Sequence, residues 1–80
     1  MTDSEILTAI AEVARDHGLW EGPLDRDLRL IEDLELDSLK ALTLAVEVEN
    51  RFRVCLDPEI EATVVTVGDL VDMVRRELAH

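Results

Sequence analysis

Residues 37–52 read Asp-Ser-Leu-Lys-Ala-Leu-Thr-Leu-Ala-Val-Glu-Val-Glu-Asn-Arg-Phe. No Gly or Pro interrupts them, so the stretch predicts a helix that begins at Asp37 or Ser38 and runs to about Phe52. At about 100° per residue, Ala41, Leu44, Ala45, Val48 and Phe52 cluster around one direction, which would be the core face. Leu39 and Val46 lie well off to the side. Either the helix is nearly all buried, or its Leu39/Val46 edge is an exposed contact surface.

Upstream of this helix the pattern is different. From Gly18 to Leu36, Gly22-Pro23 marks a turn, and Leu24, Leu28, Leu30, Ile31, Leu34 and Leu36 alternate irregularly with charges. This predicts a long ordered loop pinned by its leucines, and loops of that length in compact domains usually serve a function. Before it, Ile6, Leu7, Ile10, Val13 and Ala14 recur at helical spacing, Thr2 and Glu5 suit a capping box, and Gly18 suits a stop, which predicts a helix over about residues 3–16.

Downstream, Asp57-Pro58 reads as a cap and first-turn proline opening a short helix over residues 59–62. A last helix should start at Thr66, capped with Asp69, with Val67, Leu70, Val71, Val74 and Leu78 as its inner stripe and Arg75 and Arg76 at the end its dipole favours for cations. The expected fold is all-α: a four-helix bundle with three longer helices, one short one, and a long loop between the first two. Eighty residues allow one domain, taken as 1–80, with a modest core of Leu, Val, Ile and Ala.

Composition narrows the function. Nineteen acidic residues against eight basic ones give a net charge of −11, which repels nucleic-acid phosphates and favours partners with basic surfaces. A hydrophobic content of 48% is too high for a solvated acidic tail. Cys55 stands alone and the two histidines, His17 and His80, provide no credible zinc set, so neither a disulfide nor a structural metal is expected. No apolar run approaches the roughly 20 residues of a membrane span, and the acidic start Met1-Thr2-Asp3-Ser4-Glu5 lacks the basic character of a secretory signal, so a cytoplasmic location without membrane association is expected.

Two chemical readings of the acidic segment fail. Asp33-x-Glu35-x-Asp37 lacks the glycine and glutamate that a calcium loop needs at its sixth and twelfth positions, which are Ser38 and Leu44. A hydrolytic triad of Ser38, His17 and an aspartate would lack room for an oxyanion hole and a substrate cleft in so small a helical domain. Ser38 itself stands where a helix N-terminus offers orphan N–H groups and a positive dipole end, which favour an attached phosphate. The plain alternative is that Ser38 is only a helix cap, or that Asp37 is.

The segment Leu34-Glu35-Leu36-Asp37-Ser38-Leu39, with Ile31-Glu32-Asp33-Leu34 before it, Glu49-Asn50-Arg51-Phe52 after it and Thr66-Val67-Gly68-Asp69-Leu70 opening the last helix, resembles the acyl carrier protein family. The resemblance spans roughly residues 28–74. It implies a carrier and not an enzyme: a covalent 4'-phosphopantetheine arm, derived from coenzyme A, on Ser38, with Asp37 and Leu39 in the motif that a phosphopantetheinyl transferase recognises. It implies acyl- or aminoacyl-loading ligases and synthase or transferase enzymes as further partners, and a monomer as the working state. The partner-binding surface is expected on Leu39, Lys40, Thr43, Val46, Glu47 and Asn50.

Two positions depart from the family's pattern. Glu35 stands where many carriers have Gly, and Lys40 stands where carriers of fatty-acid synthesis typically have an acidic residue. Ser38-Leu39-Lys40-Ala41 is closer to the wording of peptidyl carriers of nonribosomal synthesis. The expected function is therefore an acyl carrier of a specialised fatty-acyl or polyketide pathway, with a free-standing aminoacyl or peptidyl carrier as the alternative. An acidic helical adaptor without a prosthetic group is the competing reading from another class.

Overall fold

The computed structural model describes residues 2–56 and 63–79. Among them the chain is all-helical, with α1 at Asp3–Asp16, α2 at Ser38–Phe52 and α3 at Val67–Leu78. The short helix expected over residues 59–62, and its Asp57-Pro58 start, lie outside the described residues, as does His80.

Both expected capping boxes are present. At α1 the Thr2 hydroxyl accepts from the Glu5 N–H at 3.2 Å while the Glu5 carboxylate accepts from the Thr2 N–H at 3.0 Å. That backbone hydrogen bond holds the Glu5 carboxyl below its usual range. At α3, Thr66 and Asp69 repeat the exchange at 3.1 Å each way. Asp69 also accepts from the Val65 N–H at 3.0 Å, and the N–H donors of Val65 and then Thr66 lower its carboxyl in turn. Each box satisfies amide donors that a helix start leaves orphaned. Gly18, with φ +67°, ends α1 in the left-handed conformation that glycine adopts without strain.

α1 packs against both α2 and α3. Its Ile6, Ile10, Val13 and Ala14 meet Leu44 and Val48 of α2 and Val67, Leu70, Val71 and Val74 of α3 in one buried cluster. The sequence's inner stripe for α3 needs one correction. Leu78 points in the right direction, but it lies in the last turn, where it is left 38% exposed. Met73, three residues after Leu70, is buried instead and widens the stripe.

The long loop is tied down as expected, with one exception. Leu24, Leu30, Leu34 and Leu36 are buried and Leu28 is partly so, whereas Ile31 is 54% exposed. The reason lies in the backbone. The N–H groups of Asp33 and Leu34 both donate to the Arg29 carbonyl, so the chain makes a helix-like turn there. Leu30 and Leu34, four apart, face inward, and Ile31, about 100° further round, faces out.

The same loop pairs with the approach to α3. The Leu30 N–H donates to the Val65 carbonyl at 2.9 Å, the Val67 N–H to Leu28 at 2.8 Å and the Gly68 N–H to Arg26 at 2.9 Å, around an isolated antiparallel bridge between Arg29 and Thr66. Gly68 permits this approach, because a Cβ there would stand 3.0 Å from the Arg26 carbonyl oxygen. Arg26 then closes a ring of alternating charge: its guanidinium meets Asp3 at 3.3 Å and Asp72 at 3.0 Å, and Arg75 meets the same two carboxylates at 2.6 and 3.2 Å. The hydrogen bond to Asp72 raises the Arg26 pKa further. The ring joins the loop, the start of α1 and the middle of α3.

Candidate functional site

The loop delivers the chain to α2 through Leu34-Glu35-Leu36-Asp37. Leu34 and Leu36 are both buried, and the backbone turns sharply between them. Glu35 makes this turn with φ +57°, in the left-handed region. This gives a physical reason for the glycine that many carriers have here. A left-handed non-glycine residue costs roughly 1–2 kcal/mol, and glycine's extra chain entropy offsets about 0.5–1 of the relief. Glu35→Gly is therefore expected to stabilise the fold by roughly 0.5–1 kcal/mol. Urea unfolding checks it: a midpoint equal to or below the parent's would show that Glu35 carries no strain.

Asp37 settles which residue caps α2. Its carboxylate accepts from the Lys40 N–H at 2.8 Å, and its backbone is extended, with φ −80° and ψ 177°. Ser38 is consequently the first helical residue and not the cap, and it is exposed. Among the described residues its hydroxyl has no hydrogen-bond partner. The first-turn N–H groups of Ser38 and Leu39 precede the intrahelical ladder, which starts with Ala41 donating to Asp37 at 2.9 Å. A free hydroxyl beside unsatisfied amide donors at a positive dipole end fits a phosphodiester. The acidic run before it is less bare than its composition implies. Glu32 and Asp33 both pair with Arg29, and hydrogen bonding from the Arg29 N–H pulls the Asp33 carboxyl down.

The expected partner-binding residues are not equally available. Leu39 is 71% and Val46 43% exposed, which decides the open question about α2: its off-core edge faces solvent. Lys40 and Asn50 are exposed as well. Thr43 is half-buried, and its hydroxyl donates to the Leu39 carbonyl at 2.9 Å. Glu47 is half-buried too, with its carboxylate 3.1 Å from Nε2 of His17. His17, read from sequence as a helix-end residue, is the C-cap of α1 and also the link from α1 to this edge of α2. Leu42, 55% exposed, belongs to the same edge and was not picked out by the sequence reading. Its spacing, three after Leu39 and four before Val46, is the signal that would have found it.

The family model for the phosphopantetheine attachment site matches residues 4–74. The chain belongs to that family. It is 32% identical over 71 residues to an acyl carrier protein of Beutenbergia cavernae, covering 88% of this chain and 87% of the relative. It is 30% identical over 77 residues to a meromycolate extension acyl carrier protein of Mycobacterium leprae, covering 95% of this chain and 67% of the relative. Its fold is like that of an acyl carrier protein from Thermotoga maritima, with a TM-score of 0.87 at 22% identity over 96% of this chain and 91% of that one. The protein is thus an acyl carrier and not a catalytic enzyme, and its prosthetic group is a covalently attached 4'-phosphopantetheine. Such carriers work with a phosphopantetheinyl transferase and with synthases.

Proposed function

We propose that the arm is carried on Ser38, and that the chain, as a single carrier domain over residues 1–80, presents acyl intermediates as thioesters in a specialised fatty-acyl or polyketide pathway. The observation that carries this reading is the division of labour at the start of α2. Asp37 takes the capping bond, at 2.8 Å from the Lys40 N–H, and leaves the exposed Ser38 hydroxyl with no structural task. In the attachment, Ser38 Oγ bonds to the pantetheine-side phosphorus of coenzyme A, the pyrophosphate bond breaks, adenosine bisphosphate leaves, and the hydroxyl proton passes to base. The arm supplies a terminal thiol that holds the acyl group.

Support for a specialised pathway comes from α2, where Lys40, Thr43 and Asn50 stand on the partner side and its exposed edge is apolar. Lys40, exposed directly after Leu39, also favours the second reading, an aminoacyl or peptidyl carrier loaded by an aminoacyl ligase. The first reading takes an acyl-loading ligase and a synthase as its partners. Both readings carry a cytoplasmic location, where coenzyme A is the source of the arm. Among the described residues no helix is long and apolar enough to cross a membrane.

Intact mass of the chain produced with and without a phosphopantetheinyl transferase tests the attachment. The expected result is a gain of one pantetheine unit, mapped to the peptide that holds Ser38. A pantetheine mapped to another residue, or none with a competent transferase and coenzyme A present, would overturn the assignment.

A further inference from the structure

Four carboxylates stand in the six residues before Ser38: Glu32, Asp33, Glu35 and Asp37. Three of them are already committed within the chain. Glu32 and Asp33 pair with the Arg29 guanidinium, and the Asp33 carboxylate also accepts from the Arg29 N–H at 2.8 Å. Asp37 uses its carboxylate to cap α2, accepting from the Lys40 N–H at 2.8 Å. Glu35 alone is left: it is exposed, and it has no hydrogen bond or ion pair among the described residues.

The backbone and the chemistry both single this residue out. Its φ of +57° lies in the left-handed region, where a non-glycine residue carries strain that glycine would not, and such strain persists chiefly at functional positions. Its neighbours Leu34 and Leu36 are buried, which anchors the backbone that bears the carboxylate. Its Cα is at most about 11 Å from that of Ser38, the reach of three extended residues. Arm attachment supplies the counterpart. Coenzyme A brings a pyrophosphate and a further phosphate to the Ser38 hydroxyl, and an enzyme that holds this polyanion must surround it with cations. On the helix side of Ser38 the exposed Lys40 repels such a surface, so attraction to it falls to the loop side.

We propose that Glu35 is a specificity-determining residue for arm attachment, and that its carboxylate pairs with a cationic side chain of the phosphopantetheinyl transferase beside the coenzyme A site. The inference rests on Ser38 as the attachment residue. Many carriers have Gly at this position, so the contact is one that this chain adds. Glu35 acts by docking and not on the reacting atoms, so its loss raises the KM for the carrier and leaves kcat in place. An ionic contact at the rim of an interface also weakens with salt. Strain and contact pull in opposite directions: Glu35→Gly should give a more stable fold and a poorer substrate.

The test is kcat/KM for arm transfer from coenzyme A by a broad-specificity phosphopantetheinyl transferase, with the carrier varied, at about 20 mM and about 500 mM NaCl, a change that shortens the screening length severalfold. Glu35→Gln keeps a non-glycine residue in the turn and removes only the charge. It is expected to lose about fivefold at low salt, through KM, and less than about twofold at high salt. Glu35→Gly should lose as much while its urea midpoint rises. Glu32→Gln makes the same change in net charge at a carboxylate already paired with Arg29, and it should stay within about twofold of the parent at both salt concentrations. Circular dichroism checks that all three variants keep the parent's helix content. Glu35→Gln as active as the parent at low salt, or impaired no more than Glu32→Gln, overturns the proposal. A loss that persists undiminished at high salt overturns the ionic contact. A parent chain that gains no pantetheine removes the attachment reading and the role of Glu35 with it.

Discussion

Ser38→Ala is expected to gain no pantetheine in the presence of a transferase and coenzyme A, while losing no more than roughly 0.5 kcal/mol of stability, the range of an ordinary surface substitution. The loss of attachment should be complete, because no neighbouring hydroxyl can take over. Thr43 lies more than a turn further on with its hydroxyl donated to the Leu39 carbonyl, and Ser4 and Thr8 belong to α1. The small stability cost follows from the geometry at the start of α2. From sequence alone Ser38 could have been the cap, and its removal would then cost typically about 1 kcal/mol. Because Asp37 makes the capping bond, that cost moves to Asp37→Ala, which should destabilise the fold by about 0.5–2 kcal/mol. Intact mass and urea unfolding of the two variants check this division. A Ser38→Ala chain that still acquired one arm, or one that unfolded as readily as Asp37→Ala, would show that the roles of the two residues are wrongly divided.

The three helices were legible because each announces itself twice, by apolar residues at helical spacing and by residues that cap its start. Thr2 with Glu5, Asp37 before Ser38, and Thr66 with Asp69 are short-range chemistry, which depends on neighbours three positions away and can be read from the chain directly. The exposed edge of α2 was half legible. Periodicity separated Leu39 and Val46 from the core direction, but only the packed structure showed that they and Leu42 stay exposed among the described residues. Other features depend on contacts remote in sequence. The His17–Glu47 pair joins residues thirty positions apart, and the charge ring joins Asp3, Arg26, Asp72 and Arg75. The left-handed turn at Glu35 was hidden for a different reason: the residue there is not the glycine that would have signalled it.

Leu36→Ala should be the most damaging substitution in the long loop, and Ile31→Ala among the least, although both replace a branched aliphatic residue in the same acidic segment. Leu36 is 2% exposed, and its N–H donates to the Leu30 carbonyl at 3.2 Å, so its side chain and backbone together anchor the segment that leads into Asp37 and Ser38. Truncating a buried leucine costs about 2–5 kcal/mol, the sum of lost burial and an unfilled cavity. A domain of this size has a stability of about 4–12 kcal/mol at the usual value per residue, so the variant should lose a large share of it. Ile31 is 54% exposed, and its truncation should stay within about 0.5 kcal/mol. Position adds a functional consequence. A loosened Leu36 no longer fixes the left-handed turn at Glu35 or the cap at Asp37, so the rate of arm attachment at Ser38 should fall even where most of the chain remains folded, whereas Ile31→Ala should be modified at the parent's rate. Urea midpoints and attachment rates measured side by side separate the two residues. Equal losses would mean that the loop is held as a whole by its apolar content; an unchanged midpoint for Leu36→Ala would mean that the loop's hydrogen bonds to the approach of α3, and not the buried leucines, set the site in place.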